Sequence, residues 1–165
     1  VTSNMNNSVG VPDIKRFIDH DIPVIIGNDG ISTSIAFEYE MLYFAMHHLY
    51  QSPTIFTMDD LKTLILNTYT YASNVFAVHL GKIAPDYEAD IVLIPYNPPT
   101  PMTKDNAFGH MLFGAFHQYK PSDVFIKGTQ VLKGYTIKES LQTQYNEAHT
   151  YAQKCWKRIE KETQL

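Results

Sequence analysis

The most constraining stretch of the chain is Pro23 to Gly30, PVIIGNDG. Three β-branched apolar residues, Val24, Ile25 and Ile26, run directly into the polar tip Gly27-Asn28-Asp29-Gly30. Such a run suits a strand buried on both faces, as in a parallel sheet, and predicts a strand over residues 23–29. The polar tip then falls at the strand's C-terminal end, where α/β barrels and open α/β sheets place their chemistry. Gly27 and Gly30 flank Asp29 and would let the backbone turn sharply there, leaving the carboxylate exposed. Two readings of Asp29 follow, a metal ligand or general base, and an ordinary strand-ending turn built on the common Asp-Gly pair. On this stretch alone the turn is the stronger of the two.

Around that stretch the rhythm is of βα type. Residues 3–10 read as a polar loop, and Pro12 opens a short helix to His20 with Ile14, Phe17 and Ile18 on one face. Ser34 is placed to cap a helix over Ile35–Tyr50, whose apolar face is read from Phe37, Met41, Phe44, Ala45 and His48. Thr57-Met58-Asp59-Asp60 has the form of a capping box with Asp in place of Glu. It predicts a helix from Met58 to about Tyr69, with Leu61, Leu64, Ile65 and Thr68 inward and a further short helix over 71–76. Beyond His79 the period changes. Residues 89–95 read as a strand, and 110–116 is apolar and open to either assignment. Residues 123–127 and 130–133 predict a hairpin about Gly128-Thr129. Residues 138–162 predict a long charged helix with Leu141, Tyr145, Ala148, Ala152, Cys155, Trp156 and Ile159 on one face.

Composition narrows the function. With 44% hydrophobic residues in 165, the chain can bury one sizeable core. A formal charge of −4 and a pI near 5.9, without a basic run, argue against a nucleic-acid surface. No apolar run approaches the roughly 20 residues of a membrane span. The lone Cys155 excludes an internal disulfide and fits a reducing compartment, so a cytoplasmic protein is expected. Cys155 itself reads as a buried, inert thiol. The start, Val1-Thr2-Ser3-Asn4, has neither an initiator Met nor a leader, and reads as a cut end of a longer parent.

The seven histidines, His20, His47, His48, His79, His110, His117 and His149, show no His-X-His spacing and no His-Glu-X-X-His pair. One or both of His47 and His48 should be exposed, and His110 reads as a packed structural residue. No nucleophile elbow and no phosphate loop occur. The chain therefore offers one candidate catalytic carboxylate, Asp29, where a catalytic zinc takes three protein ligands.

Several segments together resemble a known family. Ser3-Asn4-Met5 is similar to part of the Pro-X-Ser-Asn-Met pattern after the seventh barrel strand of the amidohydrolase superfamily. Ile26-Gly27-Asn28-Asp29-Gly30 resembles its Gly-Thr-Asp-Gly at the end of strand eight, with Asn28 where Thr is usual. Gly81 to Pro85 and Ala89-Asp90-Ile91-Val92-Leu93 resemble the return into its small β-domain. Thr100 to Asn106 with Gly109-His110-Met111-Leu112-Phe113-Gly114 is the sharpest match, to the SsnA-type aminohydrolases near guanine deaminases and chlorohydrolases, and Trp156-Lys157-Arg158-Ile159 fits that branch.

The resemblance covers only the C-terminal portion of such a protein, since a whole barrel takes roughly 250 residues. The fold it implies is α/β: the C-terminal part of a metal-dependent (β/α)8 barrel over residues 1–79, part of a small β-sandwich over 80–137, and a C-terminal helix over 138–165. The implied activity is hydrolysis of a non-peptide C–N bond, as a deaminase of a purine or other heterocycle. In the family's chemistry a divalent ion lowers the pKa of its bound water, and an Asp touching both takes the proton and helps pass it to leaving ammonia. Asp29 takes that role by resemblance, as catalytic residue and metal ligand. Asn4, Asn28 and Ser32 would lie near the substrate, with a loop-bracing role equally open for Asn4. The cofactor implied is zinc or iron in the complete protein, with no tight metal expected in this chain alone. The partner implied is a small-molecule substrate. Independently, the free edges of a strand over 23–29 and the uncovered faces of the helices over 35–50 and 58–69 predict a homo-oligomer, and composition predicts no nucleic acid and no membrane. The rival reading is a non-catalytic structural or oligomerisation segment.

Overall fold

In the computed structural model, which describes residues 1–163, the chain divides into two compact units. The first comprises Val1–Glu88 and Ile94–Lys120, the second Ala89–Leu93 with the residues from Pro121 onward.

The first unit is helical. Residues 3–10, expected as a loop, begin inside a short helix, α1, Thr2–Asn6. Asp13 caps α2, Ile14–Asp19, by accepting the Arg16 N–H at 3.1 Å. Ser34 caps α3, Ile35–Tyr50, as its position before an apolar run implies. Thr57 and Asp60 close a reciprocal capping box on α4, Met58–Phe76. This helix runs unbroken through the residues expected to form a second short helix, because nothing in Thr70-Tyr71-Ala72 stops it. A single turn, α5, Ala107–His110, passes directly into a π-helical turn, Met111–Ala115, which settles the ambiguous 110–116 segment as helical.

The core of this unit takes Ile14 from α2, Tyr39, Leu42 and Met46 from α3, Phe56 from the following loop, Leu61 and Leu64 from α4 and Leu112 from the π turn, with Ile26. Phe37 and Phe44, expected to face inward, are exposed. The stripe that packs is 39, 42 and 46, because α3 is apolar around most of its circumference and spacing alone does not choose a face.

Residues 23–29, expected as a buried strand, belong to no strand, and Asp29 lies in a turn. A parallel strand exists only by pairing with neighbours on either side, and no such neighbour occurs among the described residues. Ile26 still buries itself in the core, Ile25 is exposed, and the Val24 carbonyl accepts from the Asn67 side chain at 3.3 Å.

The second unit holds a four-stranded antiparallel sheet in chain order: β1, Ile91–Leu93; β2, Asp123–Ile126; β3, Thr129–Lys133; and β4, Thr136–Ile137. The β2–β3 loop is Lys127-Gly128, one residue earlier than expected. Both residues take positive φ, 48° and 74°, as the twist-matched two-residue hairpin requires. Gly134 and Tyr135 repeat the device before β4. The Asp90 carboxylate ties the first loop to β1 through the Lys127 N–H at 2.7 Å. The last helix, α6, Glu139–Thr163, exposes Tyr145, Trp156 and Ile159. Cys155 is exposed too, which corrects the expectation of a buried thiol. No helix among the described residues is long and apolar enough to cross a membrane.

Candidate functional site

Asp29 itself carries the turn at the end of the apolar run. Its φ is +51°, a left-handed conformation that Asp tolerates better than most residues, while Gly27 and Gly30 keep negative or extended φ. The sharp bend therefore resides in the acidic residue and not in its flanking glycines. Its carboxylate is fixed from another element: Ser3 on α1 donates its hydroxyl to Asp29 Oδ2 at 2.6 Å. That bond, followed by one from the Gly30 N–H, holds the carboxyl below the ordinary aspartate range. The group is thus ionised at neutral pH, in the form that accepts a proton or grips a cation.

Beside it, the Asn28 amide donates to the Ser32 carbonyl oxygen, and the Ser32 hydroxyl accepts the Ser34 N–H at 3.0 Å. These bonds close the tip loop on itself before Ser34 starts α3. Asn4 is half-buried one residue beyond Ser3, and its main-chain carbonyl accepts the Val9 N–H at 3.2 Å, closing the chain after α1. The structure thus joins Ser3 to Asp29 and Asn28 to Ser32, and gives Asn4 a contact only within its own segment.

Two buried carboxylates escaped the sequence reading. Glu38, in the first turn of α3, is fully buried and accepts from the Thr2 N–H at 3.0 Å and from the Thr2 hydroxyl, with the Val1 nitrogen at 2.9 Å. Burial pushes its carboxyl up, but those donors outweigh it and hold the net shift below the usual value. Glu38 thereby docks α1, whose next residue, Ser3, reaches Asp29. Glu40 is also buried and pairs with His117 Nδ1 at 2.9 Å. The signal for both was present: two glutamates inside an otherwise apolar helix, where an unpaired charge is costly.

Among the described residues no group of three or more His, Cys, Asp or Glu side chains comes together in a way that could hold a metal ion. His110, read as structural, is held by two hydroxyls. Its Nδ1 lies 2.9 Å from the Tyr96 hydroxyl and its Nε2 lies 3.2 Å from the Thr100 hydroxyl. His47 bonds the Phe56 carbonyl at 2.8 Å, and His48 is exposed.

Residues 1–131 match the family model described as the amidohydrolase family. A curated protein of Clostridium tetani (strain Massachusetts / E88), described as 5-methylthioadenosine/S-adenosylhomocysteine deaminase, is 31% identical over 118 residues. That match covers 68% of this chain and 27% of the relative, so the chain spans about a quarter of the length of the curated relative. No solved structure matches.

Proposed function

Because the chain belongs to the amidohydrolase family, we propose that it is a segment of a hydrolase of non-peptide C–N bonds. The reaction proposed is hydrolytic deamination of a purine or another heterocycle, and Asp29 is the carboxylate this segment contributes. One observation carries the proposal. Asp29 stands on the exposed polar tip of an apolar run inside the matched region, ionised and oriented by the Ser3 hydroxyl at 2.6 Å. An ionised carboxylate so placed can take a proton from an attacking water and return it to the leaving nitrogen. Asn28 and Ser32, which shape the tip, and Asn4, one residue from Ser3, are proposed to lie against substrate.

Among the described residues there is no complete metal site, since Asp29 is one ligand where three or more are needed. Zinc or iron belongs to the proposal only for the complete protein, with its other ligands outside this chain, and the segment alone is taken to be inactive. Residues 1–79 are assigned to the end of a barrel, 80–137 to part of a β-sandwich and 138–165 to a terminal helix, of which residues 164 and 165 lie outside the described ones. A cytoplasmic setting is proposed from the lone cysteine. A second reading, a structural or oligomerisation segment, draws on the α6 face, where Tyr145 and Trp156 are 62% and 64% exposed.

The test is to express the open reading frame containing this sequence and measure ammonia release from 5-methylthioadenosine, S-adenosylhomocysteine and other heterocyclic amines. Asp29→Asn should lower kcat roughly 10²–10⁴-fold with an unchanged circular dichroism spectrum. A variant keeping most of its kcat would show that Asp29 is not the base. The 165-residue chain, dialysed against zinc, should retain less than one equivalent, and tight one-to-one zinc would overturn the reading of an incomplete site.

A further inference from the structure

A second part of the first unit is organised around a cavity that includes none of Ser3, Asn4, Asn28, Asp29 and Ser32. It has a volume of about 750 Å³ and opens between the proline-rich loop 95–100, the start of α4 at Met58, and the helical segment that carries His110, Phe113 and Gly114. That volume lies within the range of small-molecule pockets.

Three features mark its wall as specifically built. His110 has both ring nitrogens engaged by hydroxyls of the facing loop, Tyr96 and Thr100, so the ring has one orientation. Tyr96 lies so close to Gly114 that a Cβ there would stand 2.6 Å from its ring and hydroxyl. Only glycine at 114 admits the ring that fixes His110. The turn carrying Phe113 and Gly114 is π-helical, a geometry rare in proteins and frequent at functional sites.

The chemistry of the lining indicates the kind of ligand. No Asp, Glu, Lys or Arg borders the cavity. A charged molecule entering it would lose hydration without meeting an opposite charge. Tyr96, Phe113 and Pro99 offer flat apolar surfaces, and Phe113, 46% exposed, packs on Phe44, stacked at 6.1 Å, and edge-on against Tyr43 at 5.8 Å. Asn106 is spent on its own loop, with the Thr103 N–H and the Pro101 carbonyl. The side-chain amides of Asn97 and Gln118 have no hydrogen-bond partner among the described residues. Each offers a donor and an acceptor at the cavity edge.

We propose that this cavity is a binding site for a small, neutral, flat ring-bearing molecule that carries a carboxamide or a comparable donor-acceptor group. The ring lies against Phe113 and Tyr96, and the polar group is matched by Asn97 and Gln118. The proposal does not depend on the deaminase reading, because none of its residues takes part there.

The test uses three probes of one shape and different charge: nicotinamide, nicotinate and 3-picolylamine. Each is titrated into the 165-residue chain and followed by heteronuclear NMR. Nicotinamide should shift the His110, Phe113 and Asn97 signals saturably, with a Kd on the order of 1 mM for so small a ligand. The two charged probes should bind at least about tenfold more weakly, the factor expected where a charge is left unpaired. Gly114→Ala should weaken nicotinamide by a similar factor while the Phe56 and Leu61 signals stay in place. Asn97→Asp, at an exposed position that cannot disturb the core, should weaken nicotinamide and strengthen 3-picolylamine. The proposal is overturned if no probe produces a saturable shift. It is equally overturned if nicotinate binds as well as nicotinamide, or if Asn97→Asp leaves the order of the three probes unchanged.

Discussion

Leu42→Ala and Phe44→Ala, two residues apart on α3, should have opposite weights to those their sizes suggest. Leu42 is fully buried among Tyr39, Met46, Phe56 and Leu61, and truncation leaves a cavity that rigid neighbours cannot close. The cost of such a change is about 2–5 kcal/mol. Phe44 is 46% exposed, and its main ring contact is the stack with Phe113. Its loss removes an aromatic pair worth about 0.5–1.5 kcal/mol and roughly half of a side-chain burial. A total of about 1.3–3 kcal/mol follows, lower at both ends than the about 2–5 kcal/mol for Leu42 despite the larger group removed. Urea unfolding followed by far-ultraviolet circular dichroism measures both. With a slope of about 1–3 kcal/mol/M, Leu42→Ala should lower the midpoint by about 1–2 M and Phe44→Ala by clearly less. If the helix packed on the face read from 37, 41, 44 and 48, a buried Phe→Ala would cost about 3–5 kcal/mol and the order would reverse. A Phe44 variant less stable than the Leu42 variant would refute the packing described for α3.

Stability should also fall in alkali. Burial, with Tyr69 nearby, pushes the Tyr39 hydroxyl up to about 12 from 10.0. Its raised folded value means the contribution is fully present below pH 10 and is lost as pH rises through about 12, because the unfolded chain ionises first. Tyr39→Phe should flatten that loss in thermal melts, and an unchanged slope between pH 10 and 12 would show that Tyr39 is not shielded. At low micromolar concentration the chain should sediment as more than a monomer, since Tyr145, Tyr151 and Trp156 on α6 and Leu66, Val75 and Phe76 on α4 remain exposed. A concentration-independent monomer in sedimentation equilibrium would remove the oligomer proposal.

Where local chemistry decides an element, its ends were legible. The Ser34 and Thr57 hydroxyls each accept the N–H three residues on, and the Asp60 carboxylate reaches back to the Thr57 N–H, so the starts of α3 and α4 follow from spacing alone. The hairpin about Gly128 was visible for the same reason, and its one-residue displacement arises because Lys127 also accepts positive φ. Where the outcome depends on distant partners, the sequence was insufficient. Val24-Ile25-Ile26 has every local feature of a strand, yet a strand needs neighbours, and here the segment forms no strand and buries only Ile26 in the core. The apolar face of α3 was misread because Phe37, Met41 and Phe44 give as regular a stripe as Tyr39, Leu42 and Met46. Only packing against Phe56 and Leu61 separates them.

The site shows the same division. Asp29 could be singled out because a carboxylate between two glycines after an apolar run is a local pattern. Its partner could not, because Ser3 lies 26 residues away, and nothing in Thr2-Ser3-Asn4 announces which hydroxyl turns inward. The link runs through Glu38. A buried carboxylate must be satisfied, Thr2 satisfies it with both its N–H and its hydroxyl, and the helix so anchored presents Ser3 to Asp29. The helix that brings the Ser3 hydroxyl to Asp29 is thus held by a glutamate nine residues beyond Asp29, on α3. A glutamate on the apolar side of a helix, uninformative by itself, becomes a usable signal when a Ser/Thr pair elsewhere lacks a reason for burial. On α3 that pairing holds for Glu38 with Thr2, whereas Glu40 takes a histidine, His117, from another remote segment.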